Sequence, residues 1–408
     1  MAEFIALMAA LMASNALAID AMLPALPAIG DALGVDEDNR RQLVITAYLL
    51  GFGVAQLFYG PLSDRFGRKG LLVGGLLLYA VFATAAGLAG SFTLLLLSRG
   101  LQGMAAAATR VLVVSIVRDR YHGSAMAQVM SMTMIVFMIV PVLAPAFGQG
   151  VLAIASWRHI FIGLGVYGAV LAAWTLIRLP ETLAPENRRP LSIAKIAEAA
   201  RITLTTRQSI GNTIAQTLLM GALFAFINSI QQIVFDVFNR PELIALVFAC
   251  VAGPMALSSY ANSRLVMRLG SRRILIAALS AFTAFAALHL LFGETFGDTI
   301  WSFVILQALT MGCFGLIGAN AGALAMEPLG HVAGTASSLQ GVITTIGGAL
   351  LGFAIGQSFD GTVHPFLIGF TLCGASALAV AIWANRNPCR DSHDIAEVDE
   401  QEIGSRPA

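Results

Sequence analysis

The sequence predicts an all-α membrane protein with twelve transmembrane helices in two pseudo-symmetric six-helix bundles. Three observations predict it. Of its 408 residues 57% are hydrophobic and only 12% charged, with a mean hydropathy of +0.80; an ordinary soluble domain carries about 25% charged residues. The apolar residues gather in stretches of spanning length, roughly 20 residues each. One long polar interval, 180–208, divides the stretches into two sets of six. This composition excludes a soluble globular enzyme and leaves no room for a sizeable water-soluble domain.

The first six spans are expected near 4–26, 41–62, 71–90, 93–117, 125–150 and 157–179, and the second six near 209–233, 243–265, 273–293, 299–325, 333–357 and 364–385. The expected organisation is an N-terminal bundle over 1–180, a cytoplasmic linker over 181–208, a C-terminal bundle over 209–386 and a cytoplasmic tail over 387–408. No Lys or Arg precedes Arg40, and a secretory signal needs a basic start, so the first apolar run reads as a retained helix. The linker carries Glu181, Glu186, Arg188, Arg189, Lys195, Glu198, Arg201 and Arg207. Its interior, 193–204, has helical periodicity with charge on one side, suited to the membrane surface. The tail from Arg390 is polar and acidic, the composition of a disordered segment.

The formal net charge is +1, so no global field points to nucleic acid. Its distribution sets the topology, because cytoplasmic loops retain Lys and Arg. With both termini inside, the cytoplasm receives Arg65, Arg68, Lys69, Arg118, Arg120, the linker, Arg264, Arg268, Arg272 and Arg273. The outside receives Arg40, Arg41, Arg158 and Arg240 among acids such as Asp36, Glu37, Asp38, Glu294 and Asp298. Cys250, Cys313, Cys373 and Cys389 match neither a metal site nor a disulfide framework. His122, His159, His331 and His364 stand singly in loops, which speaks against a membrane-embedded transferase.

The halves resemble each other. GPLSDRFGRK over 60–69 follows the second span and SRLVMRLGSR over 263–272 the eighth, so that Leu62, Arg65, Gly67 and Lys69 meet Leu265, Arg268, Gly270 and Arg272 at one offset. Such duplication is expected of transporters that rock two similar halves around a midplane site. In the first loop Gly60 allows close helix approach, Gly67 a tight turn, and Asp64 can accept from Arg65 or Arg68. In the second, Met267 stands where the acid would be.

The pattern G-x-L-x-D-R-x-G-R-K resembles the signature loop of the major facilitator superfamily, and the resemblance implies that family's fold and a latch for the outward-open state at the cytoplasmic face. Arg99-Gly-Leu-Gln102-Gly103 in the fourth span resembles the superfamily's R-x-x-Q-G motif. Arg99, Gly103, Ala106 and Arg110 share one helical face, with the two guanidiniums about 16 Å apart along the axis. Two charges this costly do not face lipid. The expected partner is Asp20, the one acid well inside a span, at a depth matching Arg99. Burial favours the neutral acid and a nearby cation the charged form, so small changes of hydration or distance would move a proton on or off Asp20. The alternative is a permanent structural ion pair.

The segment 19–27, IDAMLPALP, resembles the D-x-Y-L-P-x-x-P element of the bicyclomycin and chloramphenicol resistance (Bcr/CflA-like) group of drug:proton antiporters, with Met22 in place of the usual tyrosine. Pro141, Pro145 and Gly148 in the fifth span, with Trp157, Arg158 and Phe161 after it, are similar to that group's antiporter motif and W-R-x-x-F; PETL over 180–183 closes the sixth span as in the same group. Physically, the prolines interrupt the hydrogen-bond ladder and the glycine permits close packing, as a hinge or seal needs.

In the seventh span Gln216, Met220, Phe224, Ile227 and Gln231 share a face, with Asn228 adjacent. Amides, a thioether and an aromatic ring suit a site for varied, partly apolar molecules; helix packing would produce the same stripe. Gly334, Gly341, Gly347, Gly348, Gly352 and Gly356 make the eleventh span a close-packing element, in which Ser337, Ser338, Gln340 and Thr344 bond backbone or substrate.

The expectation is a proton-coupled antiporter in a bacterial inner membrane that exports small neutral, zwitterionic or weakly acidic drugs such as phenicols. Asp20 and Arg99 couple the proton; Met22, Gln102, Arg110, Gln216, Met220, Phe224, Asn228 and Gln231 meet substrate; Gly60, Asp64, Arg65, Gly67, Arg68, Lys69, Pro141, Pro145 and Gly148 gate. The role of Arg110 stands open between substrate, gate and packing. Expected partners are the substrate, protons and the bilayer, with no nucleic acid, metal or cofactor, and the chain acts as a monomer. The alternative is a proton-coupled transporter of a metabolite such as an amino acid or sugar.

Overall fold

A computed structural model of the chain describes residues 2–121, 123–184, 186 and 193–386. The acidic tail, Cys389 and the linker arginines Arg188 and Arg189 lie outside the described residues. Within them the first half comprises α1 (Ala2–Asp20), α2 (Leu26–Leu33), α3 (Leu43–Phe66), α4 (Arg68–Gly87), α5 (Phe92–Arg120), α6 (Gly123–Ile154) and α7 (Arg158–Arg178). The linker helix α8 (Ile193–Thr205) follows. The second half comprises α9 (Arg207–Gln232), α10 (Ile244–Leu269), α11 (Ser271–Phe296), α12 (Ile300–Gly312), α13 (Phe314–Met326), α14 (Ala333–Gln357) and α15 (His364–Ala384).

Among the described residues eleven helical segments are long and apolar enough to cross a membrane. The helix α6, 32 residues with an apolar portion at Ile139–Ile154, supplies the remaining span. Two spans are composite. The first is α1 continued by a 3-10 turn, Leu23–Ala25, into α2. Pro24 and Pro27 explain the break, since neither has an N–H for the helical ladder. The tenth, expected as one helix, is α12 and α13, separated at Cys313.

Close approach without side-chain bulk holds the helices, as expected where lipid removes the hydrophobic driving force. A Cβ on Gly103 would stand 2.0 Å from the Tyr48 carbonyl oxygen and one on Gly51 2.0 Å from that of Gly100, so α3 and α5 touch backbone to backbone. In the second half Gly347, Gly348 and Gly352 of α14 lie against Thr217, Met220 and Phe224 of α9. The packing role expected of the eleventh span is thus seen directly.

The protein has two ends: one carries the linker and the repeated Arg-rich loops, and the other, here the far end, carries the 34–42, 233–243, 297–299 and 358–363 connections. At the far end the halves are bonded to each other by amides. Gln42 Nε2 donates to Gln232 Oε1 at 2.5 Å and to the Gly356 carbonyl at 3.1 Å; Gln232 Nε2 donates to Asn39 Oδ1 at 2.7 Å. Asn39 Nδ2 donates to the carbonyls of Gln357 and Phe359 at 3.1 and 3.0 Å, and Gln357 Nε2 returns to the Asn39 carbonyl at 2.6 Å. Gln149 Nε2 adds a bond to the Pro241 carbonyl at 2.9 Å. The far end is closed.

Candidate transport site and gates

Asp20 is the last residue of α1, where the prolines unwind the first span, and is 4% exposed. Its Oδ1 is buried without a hydrogen-bond partner. Gly148 of α6 seats on the next residue: a Cβ there would lie 1.9 Å from the Ala21 carbonyl oxygen. The glycine of the antiporter-like motif therefore holds the fifth span against the break that carries Asp20. Met22, also in that break, is fully buried.

Arg99 is 0% exposed. Its Nε donates to the Val44 carbonyl at 3.2 Å, one terminal nitrogen to Gln102 Oε1 at 2.7 Å and the other to the Ala18 carbonyl at 3.0 Å. The Ala18 carbonyl lies in the last turn of α1, where helix carbonyls lack an intrahelical donor. The guanidinium also lies over the Tyr48 ring at 4.4 Å and near that of Phe161 at 5.6 Å, a cation–π arrangement. No ion pair joins Arg99 to Asp20. The matching depth of the two residues predicts a pair; the guanidinium is instead satisfied by the Ala18 carbonyl at the end of α1, the Val44 carbonyl at the start of α3 and the Gln102 side chain. Tyr48 in turn donates to Asn15 Oδ1 at 3.0 Å and Asn15 to Thr109 Oγ1 at 2.8 Å, a polar chain across α3, α1 and α5.

Arg110 is exposed. It lies about 160° around α5, at 100° per residue, from the exposed apolar stripe Leu94, Leu97, Leu101 and Met104. It therefore faces the interior, where solvent reaches it, and it makes no ion pair or hydrogen bond among the described residues.

Of the seventh-span residues, Met220 and Phe224 lie against Gly348 and Gly352, and the Asn228 Cβ against Gly356. This is the packing alternative realised for Met220 and Phe224. Asn228 differs, since both its amide atoms are buried without partners, as is Gln231 Nε2. Gln216 is half-buried, as is Met220.

At the linker end, Gly67 (φ 98°) ends α3 and starts α4. Arg68, buried, pairs with Asp64 at 2.7 Å and Asp119 of α5 at 3.1 Å, and donates to Ser63. Glu181 caps α4: its carboxylate accepts from the backbone N–H groups of Arg68 at 2.9 Å and Lys69 at 3.1 Å, and from those of Thr182 and Leu183. Partial burial works to raise its pKa, but these four donors outweigh it and hold the carboxyl below the usual carboxylate range. Arg65 is exposed beside its neighbour Phe66, and Gly60 faces Ser338 of α14. Pro141 and Pro145 lie inside α6 without ending it.

Sequence reasoning missed three features. The far-end amides Asn39, Gln42, Gln232 and Gln357 carry no local signal. Glu181 reads in the sequence as a linker charge, although an acid directly after a span is placed to meet a helix N-terminus. Asp298 and His364, expected as an outside loop charge and an isolated histidine, are paired with His289 and Glu294 respectively.

The description Major Facilitator Superfamily matches residues 8–352. A bicyclomycin resistance protein homolog of Haemophilus influenzae is 30% identical over 374 residues, 90% of this chain and 93% of that protein. The multidrug resistance protein MdtL of Salmonella paratyphi B is 28% identical, covering 95% of both chains. The crystal structure of the human organic anion transporter MFSD10 (TETRAN) superposes with a TM-score of 0.64 at 18% identity, covering 94% of this chain and 99% of that one. The profile match alone covers most of the chain, and the chain therefore belongs to the Major Facilitator Superfamily: it is a multi-pass membrane transporter of a small molecule, not an enzyme, with relatives of the drug-resistance type.

Proposed function

We propose that the protein is a proton-coupled exporter of small drug-like molecules in a bacterial inner membrane. It acts as a monomer with both termini cytoplasmic, built as two six-helix bundles over 1–180 and 209–386. The observation that carries this reading is Asp20: a buried carboxyl group at an unwound point of the first span, with no ion pair among the described residues and one oxygen free of hydrogen bonds. An acid locked to Arg99 would have to break that bond to exchange its proton. Relatives named for bicyclomycin and multidrug resistance support export of drugs.

In the cycle, a proton from outside neutralises Asp20, and the far end closes through the Asn39, Gln42, Gln232 and Gln357 amides. The amide bonds across the far end support such a closed stage. Substrate arriving from the cytoplasm meets Arg110, Gln216, Asn228 and Gln231, displaces the proton inward and favours reopening of the far end. Arg110 has no counter-ion among the described residues, so neutral, zwitterionic or weakly acidic compounds such as phenicols are preferred over lipophilic cations. In proteoliposomes, an imposed proton gradient should drive a phenicol against its concentration gradient in the opposite direction to proton flow. Equal or better export of a quaternary cation, or co-directional movement of an amino acid or sugar with protons, would contradict the reading.

A further inference from the structure

A second buried titratable group lies in the other half, away from Asp20. His289 of α11 has a side chain 1% exposed, Asp298 in the α11–α12 connection has one 3% exposed, and their Nε2 and Oδ1 are 3.6 Å apart. That separation is just longer than a hydrogen bond. Both imidazole nitrogens and Asp298 Oδ2 are buried without a partner, an arrangement proteins rarely leave standing without a cause.

The pocket is built for the acid. Gly297, with φ 73°, turns the chain so that Asp298 points back onto α11. Gly293 leaves the carboxylate its space: a Cβ there would lie 2.7 Å from Asp298 Oδ2. Ser302 Oγ reaches Oδ1 at 3.5 Å, and Thr299 starts α12 with a reciprocal capping box to Ser302. The Phe303 ring covers the imidazole at 5.4 Å and is itself packed on Phe238 and Phe366 at 5.7 and 5.9 Å. Among the described residues no cation faces the pair. On α11 the nearest charge is Glu294, which is bonded to His364 of α15 at 2.8 Å. The segment bearing Phe238 holds Asp236 and the exposed Arg240–Glu242 pair at 3.7 Å. Asp360, before α15, is bonded to Thr362. The helices α12 and α13 carry no charged residue.

We propose that His289 and Asp298 form a second proton-binding site, with one proton taken up from the far end and held between Nε2 and Oδ1. Without it, a neutral imidazole and a carboxylate leave a net charge of −1 among aromatic rings. With it, water at the far end loses a proton, Nε2 gains an N–H, the pair becomes net neutral, and a charge-assisted bond of about 2.8 Å replaces the open contact. That bond pins the α11–α12 hairpin beside the far-end gate. The site is distinct from Asp20 and does not depend on drug export.

The test is an NMR titration of the purified full-length protein, with histidine labelled at Cε1, between about pH 5 and pH 9, the range in which imidazoles change charge. Wild type, His364→Gln, His289→Gln and Asp298→Asn are compared. One resonance, kept in His364→Gln and lost in His289→Gln, should pass between two protonation states. Asp298→Asn should lower its proton affinity roughly tenfold, the effect of removing an adjacent carboxylate. If His289→Gln fails to fold, the resonance is identified by its resistance to a water-soluble paramagnetic reagent. A His289 signal unchanged across the range, or unmoved by Asp298→Asn, overturns the site.

Discussion

The loops after the second and eighth spans share a backbone and differ in chemistry. Gly67 (φ 98°, ψ 163°) and Gly270 (φ 75°, ψ 150°) each end one helix and start the next, at equivalent places in the two halves. Around Gly67 the side chains interlock: Arg68 joins Asp64 to Asp119, and Glu181 caps α4. Around Gly270 they do not. Met267 is 86% exposed, Arg268 and Arg272 are exposed, and neither arginine has an ion pair among the described residues. The glycine thus repeats the shape, while the acids Asp64, Asp119 and Glu181 convert one copy into a clamp joining α3, α4, α5 and the end of α7. Every contact of that clamp lies within the first half and the linker residues directly after it, so it rigidifies that half as a body. The bonds that tie one half to the other at the far end are all between neutral groups.

Removing the arginine should separate the two loops most. Arg68→Ala leaves Asp119 without its cation and should cost roughly 3 kcal/mol of unfolding free energy in detergent, as for a largely buried pair. Arg268→Ala should stay within about 0.5 kcal/mol, as for an exposed residue without partners. Equal losses would mean that the clamp is not what separates the loops.

The glycines come next. A non-glycine residue in this backbone region is strained by about 1–3 kcal/mol, so Gly67→Ala and Gly270→Ala should both destabilise. The first should do so more, because its Cβ would meet Glu181 Oε2 at 2.6 Å whereas nothing lies within 4 Å of the second. Thermal unfolding that ranks Gly270→Ala as the worse variant would reverse the assignment.

A smaller effect is expected from Glu181→Gln: about 1 kcal/mol or less at neutral pH, the usual scale for a charge at a helix N-terminus. The folded carboxyl is held below its ordinary range. The wild-type advantage is therefore full above that range and is lost as pH falls through the lowered folded value. Unfolding curves of the two proteins should converge in acid. The smallest effect is a gain. Met267→Asp alone should change little, because Ser271 stands where the first loop has Arg68. Adding Ser271→Arg should recover about 0.3–0.5 kcal/mol as an i,i+4 pair.

The spans were legible because uninterrupted apolar runs admit few other structures; the break in the first, expected as one helix over 4–26, was not, although Pro24 and Pro27 lie at it. Nor was the division of the tenth at Cys313, since no proline interrupts that run. The depth of Asp20 and Arg99 could be counted from span ends; their partners could not. Arg99 is satisfied by the carbonyls of Val44 and Ala18, and backbone acceptors leave no mark in a sequence. The seventh-span stripe mixed two signals that periodicity cannot separate, with Met220 and Phe224 meeting glycines and Asn228 keeping an unbonded amide. Asp298 reads as a loop acid until the positive φ of Gly297 turns it back over α11. The far-end amides lie hundreds of positions apart and only the fold unites them.

The role proposed for Asp20, carrying the transported proton, can be read in one measurement. Purified protein in weakly buffered detergent solution, mixed with a phenicol, should release protons in wild type and in Arg110→Ala, with weaker substrate affinity in the latter. It should release none in Asp20→Asn, which must still bind the drug. Substrate-linked proton release that persists in Asp20→Asn would contradict the account.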